Sequence, residues 1–370
     1  MQDQHKPVLT FAQSGRFLAQ SATQAGYRVW VADCFGDQET FSVAERWQQL
    51  PRLSENSSID VLDLLSTLSQ GEECSLIYGS GIELTYTMLA QLPRNIQLIG
   101  NEFNTVHTVQ TPQLFFKLLT QLKLRFPETT FKKPEDSSNW LVKSSFGMGG
   151  EHIQHLNSAH IQTKHYFQRH ISGLPGSALF LANGSSSQLI SINKQVLSEN
   201  PSVPFQLSRI DNNWLISAKH QGEIQLAIDK IVIKIALRGI NSLDFIISQQ
   251  DELFILEVNP RPSASADLVA DKATLFQQHI DACQGILPNP AITPPEDTVS
   301  LYYIYAANDL IIPKDMKWPL QCFDIPIATS LIPKGGPICT SIVTLTKQQD
   351  VQEVHKKIEK QVLDQLLLPA

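Results

Sequence analysis

Apolar and polar positions along the chain follow two rhythms, one for each kind of element. The run Val8-Leu9-Thr10-Phe11 gives way to a polar turn, Ser14-Gly15-Arg16. Leu18, Ala22 and Ala25 then recur at three- and four-residue spacing up to Gly26, and Val29-Trp30-Val31-Ala32-Asp33 follows. Strand, helix and strand in that order make a βαβ unit, whose strands run parallel because the helix carries the chain back across the sheet. Helical spacing over 59–68 and 82–92, with short apolar runs at 75–79 and 97–100, continues the alternation. Residues 1–110 are therefore expected to form a small doubly wound α/β domain.

From Thr111 the rhythm changes. Leu114, Phe115, Leu118, Leu119 and Leu122 predict a helix over 111–126, with Pro112 in its first turn. Short strands are predicted at 140–143, 153–156, 166–173, 177–182, 188–192 and 214–217, with a Gly/Pro turn at Gly173-Leu174-Pro175-Gly176. Leu226, Ile228, Ile231, Val232 and Ile235 mark an amphipathic helix over 225–237 closed by Gly239. A hairpin follows, then a helix over 266–285. The proline-rich joint from Leu287 to Pro295 reads as a linker. Beyond it lie strands at 300–306 and 338–345, a Gly335-Gly336-Pro337 turn and a helix over 350–368. The fold class is α/β and α+β multidomain, divided as 1–110, 111–290 and 291–370.

Charge narrows the function classes. A formal net charge of -7, and no Lys/Arg run longer than Lys132-Lys133 or Lys356-Lys357, argue against nucleic acid or anionic lipid as partner. The five cysteines are scattered and never form a Cys-x-x-Cys pair, which fits a reducing compartment. No stretch approaches the roughly 20 apolar residues of a membrane span, and no signal peptide is evident, so the expected location is the cytoplasm.

The most chemically loaded stretch is the hairpin from Gly239 to Ser265. Glu257, Asn259 and Arg261 alternate after the apolar run Leu253-Phe254-Ile255-Leu256, so strand periodicity puts all three on one face. Leu243 to Ile247 reads as the partner strand and can bring Asp244 beside Glu257. Two carboxylates and an amide oxygen are hard ligands suited to Mg²⁺ held together with substrate phosphates. A charged hairpin end with ordinary Asn-Pro and Arg-Pro turn chemistry is the alternative. About a hundred residues upstream, Lys143 ends a short strand and opens the loop Ser144-Ser145-Phe146-Gly147-Met148-Gly149-Gly150. Glycines there let amide N–H groups face phosphate oxygens, with Lys143 adding charge; a flexible hairpin tip is the competing reading. The turn Ser14-Gly15-Arg16 sits at the carboxyl end of the first strand, where open α/β sheets bind ligands. It is equally a plain helix start with Ser14 as N-cap. His152, His155, His160, His165 and His170 crowd the same region, but their spacing turns members of each strand pair to opposite faces, so they read as solvated strand edges.

Taken in order, a small α/β domain, LVKSSFGMGG, QRHISG, and SLDFII followed by LFILEVNPRPS resemble the ATP-grasp superfamily, and within it the predicted ATP-dependent carboligases of carboxylate–amine ligase type. The resemblance implies that Lys143, Gly147, Gly149 and Gly150 hold nucleotide phosphates, and that Gln168, His170 and Ile171 line the adenine hinge. It further implies that Asp244, Glu257 and Asn259 ligate Mg²⁺, with Mn²⁺ as alternative, and that Arg261 steadies the transferring phosphoryl group beside Lys143. Ser14, Arg16 and Ser263 are kept as substrate contacts. Two departures stand out: Gln113 lies near the place of an early lysine, and Pro175-Gly176 near that of a ribose-binding acid. The implied activity is an ADP-forming ligase that joins a small carboxylate to an amine or thiol through an acyl phosphate. It would act in coenzyme synthesis, such as that of pterin or furan one-carbon carriers, with a homodimer allowed for. A nucleotide-binding module without turnover, or a carboxylating or peptide-forming ligase, remains open.

Overall fold

The computed structural model describes residues 6–54, 57–145, 147–158, 164–290, 297–345 and 350–366. Phe146, His160, the joint residues Thr293-Pro294-Pro295 and the expected helix end at Leu368 lie outside the described residues. The N-terminal part runs β1 (Val8–Ala12), α1 (Arg16–Gln24), β2 (Val29–Asp33), α2 (Gln38–Val43), β3 (Arg46–Gln49), α3 (Ser58–Ser69), β4 (Cys74–Tyr78), α4 (Ile82–Thr85) and β5 (Ile96–Leu98). Its strands pair in parallel in the order β3-β2-β1-β4-β5. That order reverses between β1 and β4, so the carboxyl ends of β1 and β4 open onto a crevice. β1, β2 and β4 are buried throughout, as continuous apolar strands covered on both faces must be.

Next come α5 (Phe103–Gln110), α6 (Pro112–Gln121), β6 (Thr129–Thr130), β7 (Trp140–Ser144), β8 (Gln154–His155) and β9 (His165–Arg169), followed by β10 (Gly173–Asn183), β11 (Ser187–Leu197), β12 (Leu207–Asp211) and α7 (Ala218–Ile235). The chain ends with β13 (Arg238–Ser248), β14 (Leu253–Asn259), α8 (Lys272–Cys283), β15 (Thr298–Tyr305), β16 (Leu310–Ile311), β17 (Cys322–Phe323), β18 (Leu331–Ile332), β19 (Pro337–Leu345) and α9 (Val351–Leu366). β6-β9-β7-β8 form a small sheet, and β14-β13-β10-β11-β12-β15-β19-β17 form a large one. Strands from both sides of the proline-rich joint thus share the large sheet, through β12 and β15.

Alternation along β10 fills both faces of that sheet. Ala178, Phe180 and Ala182 pack with Phe115, Phe116 and Leu119 of α6 and with Ile224, Ile228 and Ile231 of α7, whereas Leu179 and Leu181 face Leu275 and Ala282 of α8. α8 also presents Phe276 and Ile280 to the α1 face of the N-terminal sheet. One helix therefore packs the N-terminal domain onto the large sheet.

Several local expectations are corrected. α6 stops at Gln121, before Lys123 at φ 54°, and a separate helix, α5, precedes it. α7 begins at Ala218, where the Ser217 side chain accepts from the His220 N–H (3.3 Å), and ends with Ala236 in the left-handed region. Gly239 therefore does not cap it. It lies in β13 at φ +68°, where a Cβ would come within 2.6 Å of the His279 ring. Residues 173–176 continue strand β10; Pro175 pairs only with Ile246 of β13, on the side where its missing N–H leaves no gap in the β11 ladder, which begins at Gly176. The meander strand is β12 at 207–211. Trp214, expected in a strand, stacks its ring on Phe245 at 6.1 Å.

Arg16 ties three regions together. Only 2 % exposed, it bonds Asp267 beyond the hairpin and Asp324 after β17, while Phe323 lies 5.3 Å beneath its guanidinium. Ser14 does not cap α1; its hydroxyl donates to Asp324 Oδ1 at 3.0 Å. Removing one member of a buried ion pair strands the other charges. Arg16→Ala is accordingly expected to lower stability by about 3 kcal/mol, read as a lower urea midpoint; an unchanged midpoint would show that the network carries no weight.

Candidate active site

The end of β14 presents its functional side chains as strand periodicity requires. Val258, Pro260 and Pro262 are buried, while Glu257, Asn259 and Arg261 between them reach the cleft. Asp244 of β13 pairs directly with Glu257, and the register shifts at the next step, where Phe245 pairs with Ile255. Leu256 is the extra residue of a β-bulge. Continued without the bulge, the register of Phe245 with Ile255 would set Asp244 opposite Leu256, so the bulge places the two carboxylates together. Asn259 Nδ2 donates to Glu257 Oε1 at 3.4 Å and Arg261 donates to Asn259 Oδ1 at 3.1 Å, so the three polar side chains form a row. Burial, and then the charge of Glu257, push Asp244 up to about 8.

Across the cleft, β7 supplies Lys143. It is buried, which lowers its pKa, while Glu257 and Asp244 draw it back up. The lysine thus lies within electrostatic reach of both carboxylates. Beyond it, Gly149 and Gly150 take φ of +63° and +80°. A Cβ on Gly150 would fall 1.9 Å from the Phe205 carbonyl oxygen, and one on Gly147 would fall 2.1 Å from the His152 ring. Leu207 N–H donates to Gly149 O at 2.9 Å, which lays the loop against the lead into β12. Together these parts line a cleft of about 2560 Å³ between the two sheets and the N-terminal domain.

Residues 113–265 match the ATP-grasp domain family, and that interval contains Lys143, the glycine loop and the hairpin. This part of the chain is an ATP-grasp domain. The whole chain shares its fold with the biotin carboxylase domain of the 2-oxoglutarate carboxylase of Hydrogenobacter thermophilus (12% identity, 92% of this chain and 86% of that one, TM-score 0.71). It is likewise similar to an L-amino acid ligase from Bacillus licheniformis (14%, 98% of each chain, 0.69) and an N5-carboxyaminoimidazole synthetase from Staphylococcus aureus (16%, 97% of each chain, 0.67). No curated protein matches the sequence. None of the helices among the described residues is long and apolar enough to cross a membrane.

The ATP-grasp domain is held in register by residues the sequence did not single out. Arg261 Nε donates to Glu83 Oε1 of the N-terminal domain at 2.6 Å, and Glu83 is buried. The carbonyl of Pro260 accepts from Asn101 Nδ2 at 2.9 Å and from the Tyr78 hydroxyl at 3.3 Å. Gln195 of β11 donates to Asp244 Oδ2 at 3.3 Å. No local pattern marks these four: Glu83, Asn101 and Tyr78 act across an interface, and Gln195 reaches Asp244 from another strand of the same sheet. Gln168, His170 and Ile171 line the cleft, with Gln168 donating to Thr129 Oγ1 at 3.1 Å. Of the described histidines, His155 is an exposed residue of the edge strand β8, as expected, whereas His152, His165 and His170 are half-buried. His155 stands edge-on to His170 at 5.4 Å and against Phe205 at 5.1 Å. His152 faces Lys143 and Glu257, and burial lowers its pKa to about 4. Ser14 and Arg16 lie at the far wall of the cleft, bonded to Asp324, and Ser263 shares a 2.9 Å hydroxyl contact with Ser265.

An acid held at about 8 when folded and near 4 when unfolded costs no stability below pH 4 and a growing amount from there to pH 8. Asp244→Asn removes that cost. The melting temperature of the variant minus that of the ligand-free wild type should rise between pH 5 and pH 8.5, and a constant difference would contradict the raised acid.

Proposed function

We propose that the chain is an ATP- and Mg²⁺-dependent, ADP-forming ligase that activates a small carboxylate as an acyl phosphate and joins it to an amine. The observation that carries this reading is Lys143 on one sheet facing Asp244, Glu257 and Asn259 on the other, with Arg261 next in the row. The donor set fits Mg²⁺, which takes one or two carboxylates and completes its shell with phosphates and water. Among the described residues no group of three or more His, Cys, Asp or Glu could hold a metal alone, in keeping with a site that nucleotide phosphates finish. The glycine positions fit a phosphate cradle, since Gly149 and Gly150 take positive φ and nothing lies within 4 Å of a Cβ built on Gly149.

ATP supplies the phosphoryl group that makes the carboxylate an electrophile. Lys143 and the amides of the glycine loop hold the phosphates, while Asp244, Glu257 and Asn259 hold the metal. Arg261, oriented by Glu83, stabilises charge on the group being transferred. The hinge at Gln168, His170 and Ile171 takes the base. Residues 1–110 and 291–370 wall the side where carboxylate and amine meet. Support comes from similar folds solved in complex with MgADP and bicarbonate, or with ADP, and from the fold shared with an L-amino acid ligase.

ATP with Mg²⁺ at a hundred times Kd should stabilise the protein by roughly 2.7 kcal/mol, seen as a higher melting temperature that Lys143→Ala largely abolishes. No shift at millimolar ATP with Mg²⁺ would count against nucleotide binding. For turnover, a panel of carboxylic acids offered with ATP, Mg²⁺ and hydroxylamine should yield ADP and a hydroxamate for the acid that fits. Glu257→Gln should suppress that product without unfolding the protein. Release of AMP and pyrophosphate would refute the acyl-phosphate route.

A further inference from the structure

One face of the large sheet changes character along β13. Ile240 lies under α8 with Leu179 and Leu181 of β10, whereas Asp244, four residues on, faces Glu257 in the polar row. Ser242 stands between them on the same face, because strand side chains repeat every second residue. It pairs directly with Asn259 of β14 on one side and with Leu179 on the other. The polar groups around it all have partners. Ser177, opposite Asp244, accepts from Asn193 Nδ2 at 3.4 Å, and Asn193 Oδ1 accepts from Ser191 at 3.0 Å. Gln195 serves Asp244, and Asn259 bonds both Glu257 and Arg261. Ser242 is 0 % exposed and lines the cleft, yet among the described residues its Oγ has no hydrogen-bond partner.

A buried hydroxyl without a partner costs the desolvation of its polar atoms, so this position suits a bound polar partner. Leu179 and Ile240 leave it nothing polar on the α8 side. Toward the hairpin, Asp244 with Glu257 and Ser242 with Asn259 make two facing pairs, with Cβ atoms about 5 Å apart across each pair. Three of these four corners are the proposed ligands of Mg²⁺. The fourth is shorter: a serine oxygen lies one bond nearer its backbone than an Asp or Asn oxygen, so it stops short of an ion that those reach. Mg²⁺ keeps several waters beside its carboxylates and phosphates, and a hydroxyl suits one of them. We infer that Ser242 is a positioning residue of the metal centre, its Oγ accepting a hydrogen bond from a metal-bound water on the floor of the cleft. Groups that hold a metal's ligands in this way strengthen its binding without touching the ion. The inference rests on the ligase reading, which supplies the metal and the nucleotide, but its test needs no turnover.

The full-length wild type, Ser242→Ala and Glu257→Gln are each titrated calorimetrically with ADP, once in excess MgCl₂ and once in EDTA. In the wild type Mg²⁺ should tighten ADP binding. Ser242→Ala should bind ADP with Mg²⁺ about tenfold more weakly, as expected for loss of a partner that holds a metal's ligand, and bind ADP in EDTA as the wild type does. Its ligand-free melting temperature should not fall, because no bond within the protein is lost. Ser242→Cys keeps the volume with a weak hydrogen-bonding atom, and it decides the case if the alanine variant melts lower through lost packing. It should show the same loss, confined to Mg²⁺. Wild-type Mg²⁺ dependence in both serine variants, beside its loss in Glu257→Gln, would overturn the role of Ser242 and leave the ligase reading standing. Equal weakening with and without Mg²⁺, or a lower ligand-free melting temperature in both variants, would assign the hydroxyl to the nucleotide or the fold and overturn the role too. ADP that fails to bind the wild type, or gains nothing from Mg²⁺, would sink the ligase reading itself and this role with it.

Discussion

Two carboxylates facing each other across one strand pair are the constraint around which the rest of the cleft is built. Asp244 and Glu257 repel unless a cation stands between or beside them, and burial raises the cost of ionising the first. The chain answers with Lys143 from the opposite sheet, a Gln195 amide on Asp244 and an Asn259 amide on Glu257. These partners moderate the charge without cancelling it. On the proposed reading, a hard cation would answer the remaining charge at the spot where Lys143 and the glycine loop would hold phosphates.

Such a site works only if its parts stay in place, and they come from three regions of the chain. The N-terminal domain contributes none of the proposed metal ligands, yet it fixes the hairpin: Tyr78 and Asn101 hold the Pro260 carbonyl, and Glu83 holds Arg261. α8 packs against both this domain and the large sheet, so the two cannot slide without opening apolar surface. Arg16 adds the third region by bonding Asp324.

Much of this was legible in the order of residues, because strand periodicity, parallel βαβ connectivity and turn chemistry are local. The apolar runs of β1, β2 and β4 announced a parallel sheet, and Glu257, Asn259 and Arg261 announced a polar row by alternating with buried Val258, Pro260 and Pro262. Lys143 and the glycines were marked by their types and spacing. Misreadings fell where tertiary packing overrides a local signal. Gly173 to Gly176 looked like a turn, but a sheet edge tolerates Pro175. Gly239 looked like a helix cap, but it is small because the His279 ring approaches it. Of the crowded histidines, His155 does stand exposed on the edge strand β8, but His152 is half-buried against the carboxylate of a distant hairpin.

The sequence by itself therefore determined which side chains could do chemistry and on which face of each strand they stand, since both follow from a two-residue period and from the side chains themselves. Only the tertiary structure decided which of them meet. The bulge at Leu256 sets Asp244 opposite Glu257, and the cross-domain bonds select Glu83 and Asn101. Register, interface and desolvation depend on residues far apart in the chain, and no local spacing encodes them.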